Sequence, residues 1–226
     1  MLDSLFRTCD HILVLDLETT GFDSRREEII ELGVFRLDKD AAIPASDREL
    51  NLLVKLSPGR RLPPVITNLT GITENLLIDQ GIEKASACDQ LSRWLDCPRP
   101  LLAAYNAQFD LGFLYSFLDR FGKANLLDRV TLLDALTIYK DRRPYPHTLK
   151  DAVSAYALQT QNTHRAIDDA KVTFELLCAM EREFNDLDRY VNLFGYNPKY
   201  GISGRKFASV RYLPQPYNMT RKLYEL

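Results

Sequence analysis

The chain lacks any apolar run of the roughly 18–20 residues needed to span a bilayer. Its first eleven residues lack the basic head and apolar stretch of a secretory leader. Both absences predict a cytoplasmic protein with no membrane partner. Cysteine is scarce. Cys9, Cys88, Cys97 and Cys178 include no pair close enough for a zinc knuckle, which leaves reduced thiols. Histidine is scarcer still, with three residues. Any imidazole base must be His11 at a strand start, His147 after a proline, or His164. There is no internal repeat and no low-complexity tract. The basic excess common in nucleic-acid-binding domains is also missing, since the net charge is −2.

What is present is a 226-residue chain that is 46% hydrophobic, enough for one sizeable α/β core and a short appendage. Charge is unevenly placed. Residues 196–226 hold Lys199, Arg205, Lys206, Arg211, Arg221 and Lys222 against Glu225, a formal +5, so residues 1–195 stand at −7. An acidic body still binds a polyanion if metal ions neutralise its acidic site.

His11–Glu18 reads as a buried strand, followed by a turn at Thr19–Gly21. Ile29–Leu37 and Leu50–Leu56 read as two more strands, and the three suit an antiparallel meander. Val65–Leu69 and a segment from Thr73 read as short helices, and Glu83–Leu95 as a longer one. Leu101–Tyr105 is a short strand, with a helix after it to Phe121. Val130–Leu133 reads as the last strand. Thr148 caps a helix through Leu158, and a long helix runs from about His164 to Leu187. This order predicts a mixed β-sheet flanked by helices on both faces, over residues 1–195. Residues 196–226 show no periodicity and read as a basic, aromatic C-terminal extension.

Asp16 and Glu18 are two apart on a strand and share the face of Ile12 and Val14. Two like charges there need a cation, unless the strand has reached an exposed end. Asp110 opens a helix, and Phe113, Leu114, Phe117 and Phe121 fall within about 60° of it. A carboxylate so near a helix N-terminus is also explained by the helix dipole. The same arithmetic turns Asp169 toward Val172, Thr173, Leu176 and Met180. Asp168 faces solvent, where Lys171 is a possible ion-pair partner. His164 would stand about 140° from Asp169 in a regular helix, so the two share a site only if His164 lies outside it. Asn162 and Thr163 are N-cap types that permit this.

Taken in order, Ile12-Leu-Val-Leu-Asp-Leu-Glu-Thr-Thr-Gly21, Ala104-Tyr-Asn-Ala-Gln-Phe-Asp110 and His164-Arg-Ala-Ile-Asp-Asp-Ala170 resemble the three motifs of the DEDDh family of 3′→5′ exonucleases. That family includes the proofreading subunit of bacterial DNA polymerase III and ribonuclease T. The resemblance covers residues 8–187 and implies a ribonuclease H-like fold. It implies two bound Mg²⁺ or Mn²⁺ ions, held by Asp16, Glu18, Asp110 and Asp169, with His164 as general base. It implies single-stranded DNA or RNA 3′ ends as substrate, with nucleoside 5′-monophosphates as product. A DNA polymerase, or another replication or repair protein, is the partner it suggests. Leu17, Thr19 and Thr70 would lie against the terminal nucleotide, and Asn106 would position the loop or the substrate. Phe113 would wedge between bases or, equally, pack in the helix core. One departure is Tyr105, where many relatives have histidine; altered packing or substrate contact is expected there. RNA trimming and a non-catalytic nucleic-acid- or polymerase-binding module are the rival readings. The tail's aromatic residues, interleaved with its basic ones, suit base stacking, packing on the domain or protein binding.

Overall fold

A computed structural model describes residues 2–39, 48–160, 163–217 and 221–226. Three antiparallel strands come first: β1 (His11–Thr19), β2 (Ile29–Asp38) and β3 (Glu49–Leu53). The helices α1 (Pro64–Thr70), α2 (Glu74–Gln80) and α3 (Lys84–Leu95) then lead to β4 (Pro100–Ala104). Next come α4 (Ala107–Asp119), β5 (Thr131–Asp134), α5 (Ala135–Arg142), α6 (Leu149–Ala155) and α7 (Ala166–Glu183). The sheet order is β3-β2-β1-β4-β5, with β4 parallel to both β1 and β5. The expected meander and the mixed sheet with helices on both faces are therefore present. Among the described residues, no helix is long and apolar enough to cross a membrane.

Strand alternation divides the core in two. Leu13, Leu15 and Leu17 of β1 face α3 and α4, joining Leu91, Leu111 and Leu114. Ile12 and Val14 face the other way, joining Leu176, Leu177 and Met180 of α7. Each fully buried leucine of this kind stabilises by about 1.5–3 kcal/mol. The alternation places Asp16 and Glu18 on the α7 side.

Gly33 sets how close α7 comes. It pairs with Asp16 across the β1–β2 ladder. A Cβ at position 33 would overlap the backbone of Ala166 and Ile167, the start of α7. Backbone cannot swing aside as a side chain can. Gly33→Ala is therefore expected to cost about 1–3 kcal/mol by overpacking, read as a lower urea midpoint. An unchanged midpoint would mean that the helix is not held against the strand.

Several boundaries differ from the sequence reading. The third strand stops at Leu53, because Val54 already bridges to Ile82 and Pro58 follows. The helix from Thr148 ends at Ala155 rather than at Leu158. Helix α5 was not anticipated. Asp134 nucleates it, with Oδ1 accepting from the Leu136 amide and Oδ2 from the Thr137 amide, an N-cap just after an apolar strand.

The C-terminal segment is folded, which its irregular pattern did not suggest. Strands β6 (Leu193–Tyr196) and β7 (Arg211–Pro214) pair in parallel, so the expected boundary at residue 195 falls inside β6. Phe207 and Tyr212 pack on one half of the core, and Leu223 is fully buried in the other. Buried Gln215 donates from Nε2 to the Thr137 carbonyl at 2.8 Å and to Asp141 Oδ1 at 2.7 Å.

Candidate active site

The four carboxylates come from three elements that meet near the end of β1. Asp16 and Glu18 leave β1 toward α7, while Asp110 and Asp169 sit in the first turns of α4 and α7. Asp110 and Asp169 are each only 3% exposed. Asp169 faces inward, as the helix geometry required, whereas Asp168, expected in solvent, is half-buried. The Thr163 amide donates to Asp169 Oδ1 at 3.0 Å, and the Thr163 hydroxyl donates to Asp168 Oδ2 at 3.0 Å. The expected ion pair from Asp168 to Lys171 is not formed. Lys171 reaches instead to Glu49 at the start of β3, 2.8 Å away.

Burial and crowding raise the carboxyl pKa values here. Burial, then the charges of Asp110, Asp169, Glu18 and Glu31, push the Asp16 carboxyl well above its ordinary range. Glu18 is pushed up to about 8 by burial, Asp169 and Glu31, with Arg165 opposing. Burial raises Asp110 strongly, helped by Asp134 and Glu18, while the amides of Asp110 and Leu17 pull the other way. Asp169 is raised by burial, against the Thr163 amide and His164.

The nearest cation is already committed. Arg165 forks onto Glu31, with Nη2 to Oε1 at 2.6 Å and Nε to both oxygens at 3.1 Å. Glu31 is fully buried, and its Oε2 also accepts from the Ala166 amide at 2.9 Å, capping α7 from the neighbouring strand. Neither residue was foreseen as part of the site. An acid inside the apolar run Ile29–Leu32 was the available signal, because a buried acid needs a partner.

His164 lies outside the helix. Its φ is +56°, and α7 begins at Ala166 with Arg165 as N-cap. The condition that lets it share a site with Asp169 is therefore met. The helix starts two residues later than expected, and Thr163 is not its cap. Asn162, the other proposed cap, lies outside the described residues. Glu18, His164 and Asp169 each present one ligand atom, all within 4.8 Å of one another. A cluster of hard oxygen donors with raised carboxyl pKa values and a committed arginine fits a divalent cation.

The residues expected near substrate are placed unequally. Leu17 is buried on the opposite face of β1, and its amide stabilises the ionised form of Asp110. The Thr19 hydroxyl donates to the Gly21 carbonyl at 2.7 Å. The Thr70 hydroxyl donates to the Ile66 carbonyl and accepts from the Ile72 amide. Asn106 is exposed at the head of α4 in a left-handed conformation. Phe113, expected as a wedge or equally as helix core, is 2% exposed and packs in the core. It packs on Phe109, 5.0 Å between ring centroids, and Phe109 is the more exposed ring. Tyr105 has a packing role, with its hydroxyl 2.9 Å and 3.0 Å from the carbonyls of His147 and Thr148.

Because the Asp168 carboxylate holds the Thr163 hydroxyl and lies beside Arg165, Asp168→Asn is expected to stay within about threefold of wild-type turnover, whereas Asp169→Asn loses about 10²-fold or more. Equal losses in the two variants would refute the division of labour between these neighbours.

A model of the RNase_T exonuclease family matches residues 13–177. The PolC-type DNA polymerase III of Clostridium perfringens is 34% identical over 172 residues, covering 74% of this chain and 11% of that polymerase. The Staphylococcus aureus enzyme is 28% identical over 177 residues, covering 77% of this chain and 12% of its own length. Escherichia coli exonuclease I, solved with zinc and single-stranded DNA, superposes with a TM-score of 0.71 at 18% identity. That match covers 80% of this chain and 42% of exonuclease I, and it shows the shared fold. The chain thus spans about a ninth of its curated polymerase relatives. With the motifs, the fold and these matches in hand, the chain belongs to the RNase_T exonuclease family as a DEDDh-type 3′→5′ exonuclease domain, a phosphodiester hydrolase.

Proposed function

We propose that this domain removes nucleotides one at a time from the 3′ end of single-stranded DNA, releasing nucleoside 5′-monophosphates. The observation that carries this reading is the convergence of Asp16, Glu18, Asp110 and Asp169 with, among the described residues, no uncommitted lysine or arginine beside them, Arg165 being bound to Glu31. We assign these four to two Mg²⁺ or Mn²⁺ ions, which when bound supply positive charge for the phosphodiester and acidify the attacking water. His164, close to Glu18 and Asp169 yet free of the helix, takes the proton from that water. Glu31 and Arg165 hold the loop that carries it. The backbone at Leu17, Thr19 and Thr70 and the side chain of Asn106 position the terminal nucleotide, with Phe109 in place of Phe113. The polymerase relatives support a proofreading or repair setting beside a DNA polymerase. Residues 1–195 form the exonuclease unit in this reading, and 196–226 an extension wrapped onto it.

The test is degradation of matched single-stranded DNA, mismatched duplex DNA and RNA, with Mg²⁺ or EDTA. The expected result is Mg²⁺-dependent mononucleotide release, fastest from the DNA single strand. Preference for RNA would move the function to 3′-end trimming. No release from any substrate with Mg²⁺ or Mn²⁺ would leave only a binding module.

A further inference from the structure

Part of the C-terminal segment is engaged in packing, while Lys199, Arg205, Lys206, Arg211 and Arg221 are exposed. Phe207 and Tyr212 join the core, Tyr224 lies under Arg189 at 3.8 Å, and Lys222 donates to the Asp141 carbonyl. Arg205 is different. Gln108, in the first turn of α4, donates to the carbonyls of Ser203 and Arg205 at 2.7 Å and 2.6 Å, pinning that loop to the helix. The Arg205 guanidinium then stacks 3.6 Å above the Tyr115 ring on the outer face of α4.

Across from it stands the loop after β1. Phe22, Asp23, Ser24 and Arg25 share with Tyr115 and Arg205 the wall of one 740 Å³ groove. Its floor is open because Gly112 has no side chain; a Cβ there would already meet Ser24 Oγ at 3.4 Å. Asp23, the acid of the groove, is shared with Arg26 at 3.6 Å. Arg25 and Arg205 are exposed, and neither forms an ion pair among the described residues. Phe22, 92% exposed, sits 6.4 Å from Phe109, the residue before Asp110. Tyr115 is five residues beyond Asp110, about 7.5 Å along the helix. That is about two stacked nucleotides at 3.4 Å each.

We infer that this groove holds the single strand on the 5′ side of the hydrolysed nucleotide, with Arg25 and Arg205 each bound to a backbone phosphate. A guanidinium laid flat on a ring keeps its outer N–H groups free and loses little freedom on binding an anion. The exposed Phe22 ring on the opposite wall offers a sequence-tolerant platform for a base. The C-terminal segment thus contributes part of the nucleic-acid path, which rests on the function proposed above.

The test is fluorescence anisotropy of a labelled 12-nucleotide oligothymidylate with the whole chain in EDTA, across salt concentrations. Arg25→Gln/Arg205→Gln is expected to weaken binding about tenfold and to reduce the slope of log K against log salt by about 1.4, near 0.7 per lost phosphate contact. Circular dichroism melting of the double variant should stay within about 4 °C of wild type, since only the exposed ring contact of Arg205 is lost. A Kd and slope equal to wild type, or no binding by the wild-type chain, would overturn the inference. Mg²⁺-dependent mononucleotide release by the wild type is measured separately. Its absence would strike the proposed function and leave the groove judged by the binding data.

Discussion

Asp16→Asn is expected to abolish Mg²⁺-dependent release of mononucleotides and, in EDTA at pH 8, to raise the melting temperature. The two effects have one cause. Asp16 is pressed by burial and by four neighbouring acids, so its ionised form destabilises the metal-free fold. Asparagine keeps the shape and removes the charge. For a chain of this size, each kcal/mol regained appears as roughly 2–4 °C. A cation needs that same charge, so the variant gives up metal affinity for stability. Undiminished turnover would remove Asp16 from the catalytic machinery. An unchanged or lower melting temperature in EDTA would refute the electrostatic account.

The same crowding sets the pH dependence. Glu18 titrates near 8 in the fold and near 4.5 when unfolded, so the folded state binds more protons between those values. Its stabilising contribution is full below pH 4.5 and is lost as pH rises toward 8. Metal-free protein should therefore melt progressively lower from pH 5 to pH 8.5. Saturating Mg²⁺, which binds the ionised form, should flatten or reverse that trend.

His164→Asn is expected to lower turnover about 10²–10⁴-fold while leaving the Mg²⁺-induced thermal shift in place. Asparagine is the informative replacement because position 164 has φ +56°, a conformation that asparagine tolerates better than alanine. A loss in this variant thus reflects missing proton transfer rather than a collapsed loop. His164 is also close enough to Glu18 and Asp169 to serve as a ligand. Loss of the Mg²⁺ shift together with the rate would reassign it from base to ligand. Near-normal turnover would exclude both roles.

The candidate site was legible to different depths. Asp16 and Glu18 could be read from strand alternation, and Asp169 could be separated from Asp168 by helix phase. Both periodicities are local, so a buried face leaves its mark within a few residues. Phe113 was left between two roles, because helix phase puts it on the core stripe while the family resemblance puts it against bases; its burial agrees with the phase. The C-terminal strands were missed because Gly195 interrupts one and Arg211 and Pro214 bound the other, so neither shows an apolar run. Strand β5, equally short and parallel, was legible because its residues are largely apolar and buried.

By itself the sequence determined the family, the order of the three motifs and the inward face of each acid. Those follow from residue spacing, which any one segment carries complete. Tertiary structure alone decided what makes the acids a site. Glu31 meets Arg165 from 134 positions away, Gly33 admits the start of α7, and Arg205 folds back onto Tyr115. Each of these contacts gains its strength only when partners distant in sequence are brought together, one buried acid against its arginine above all. No local pattern can encode an energy that exists only in the folded pair.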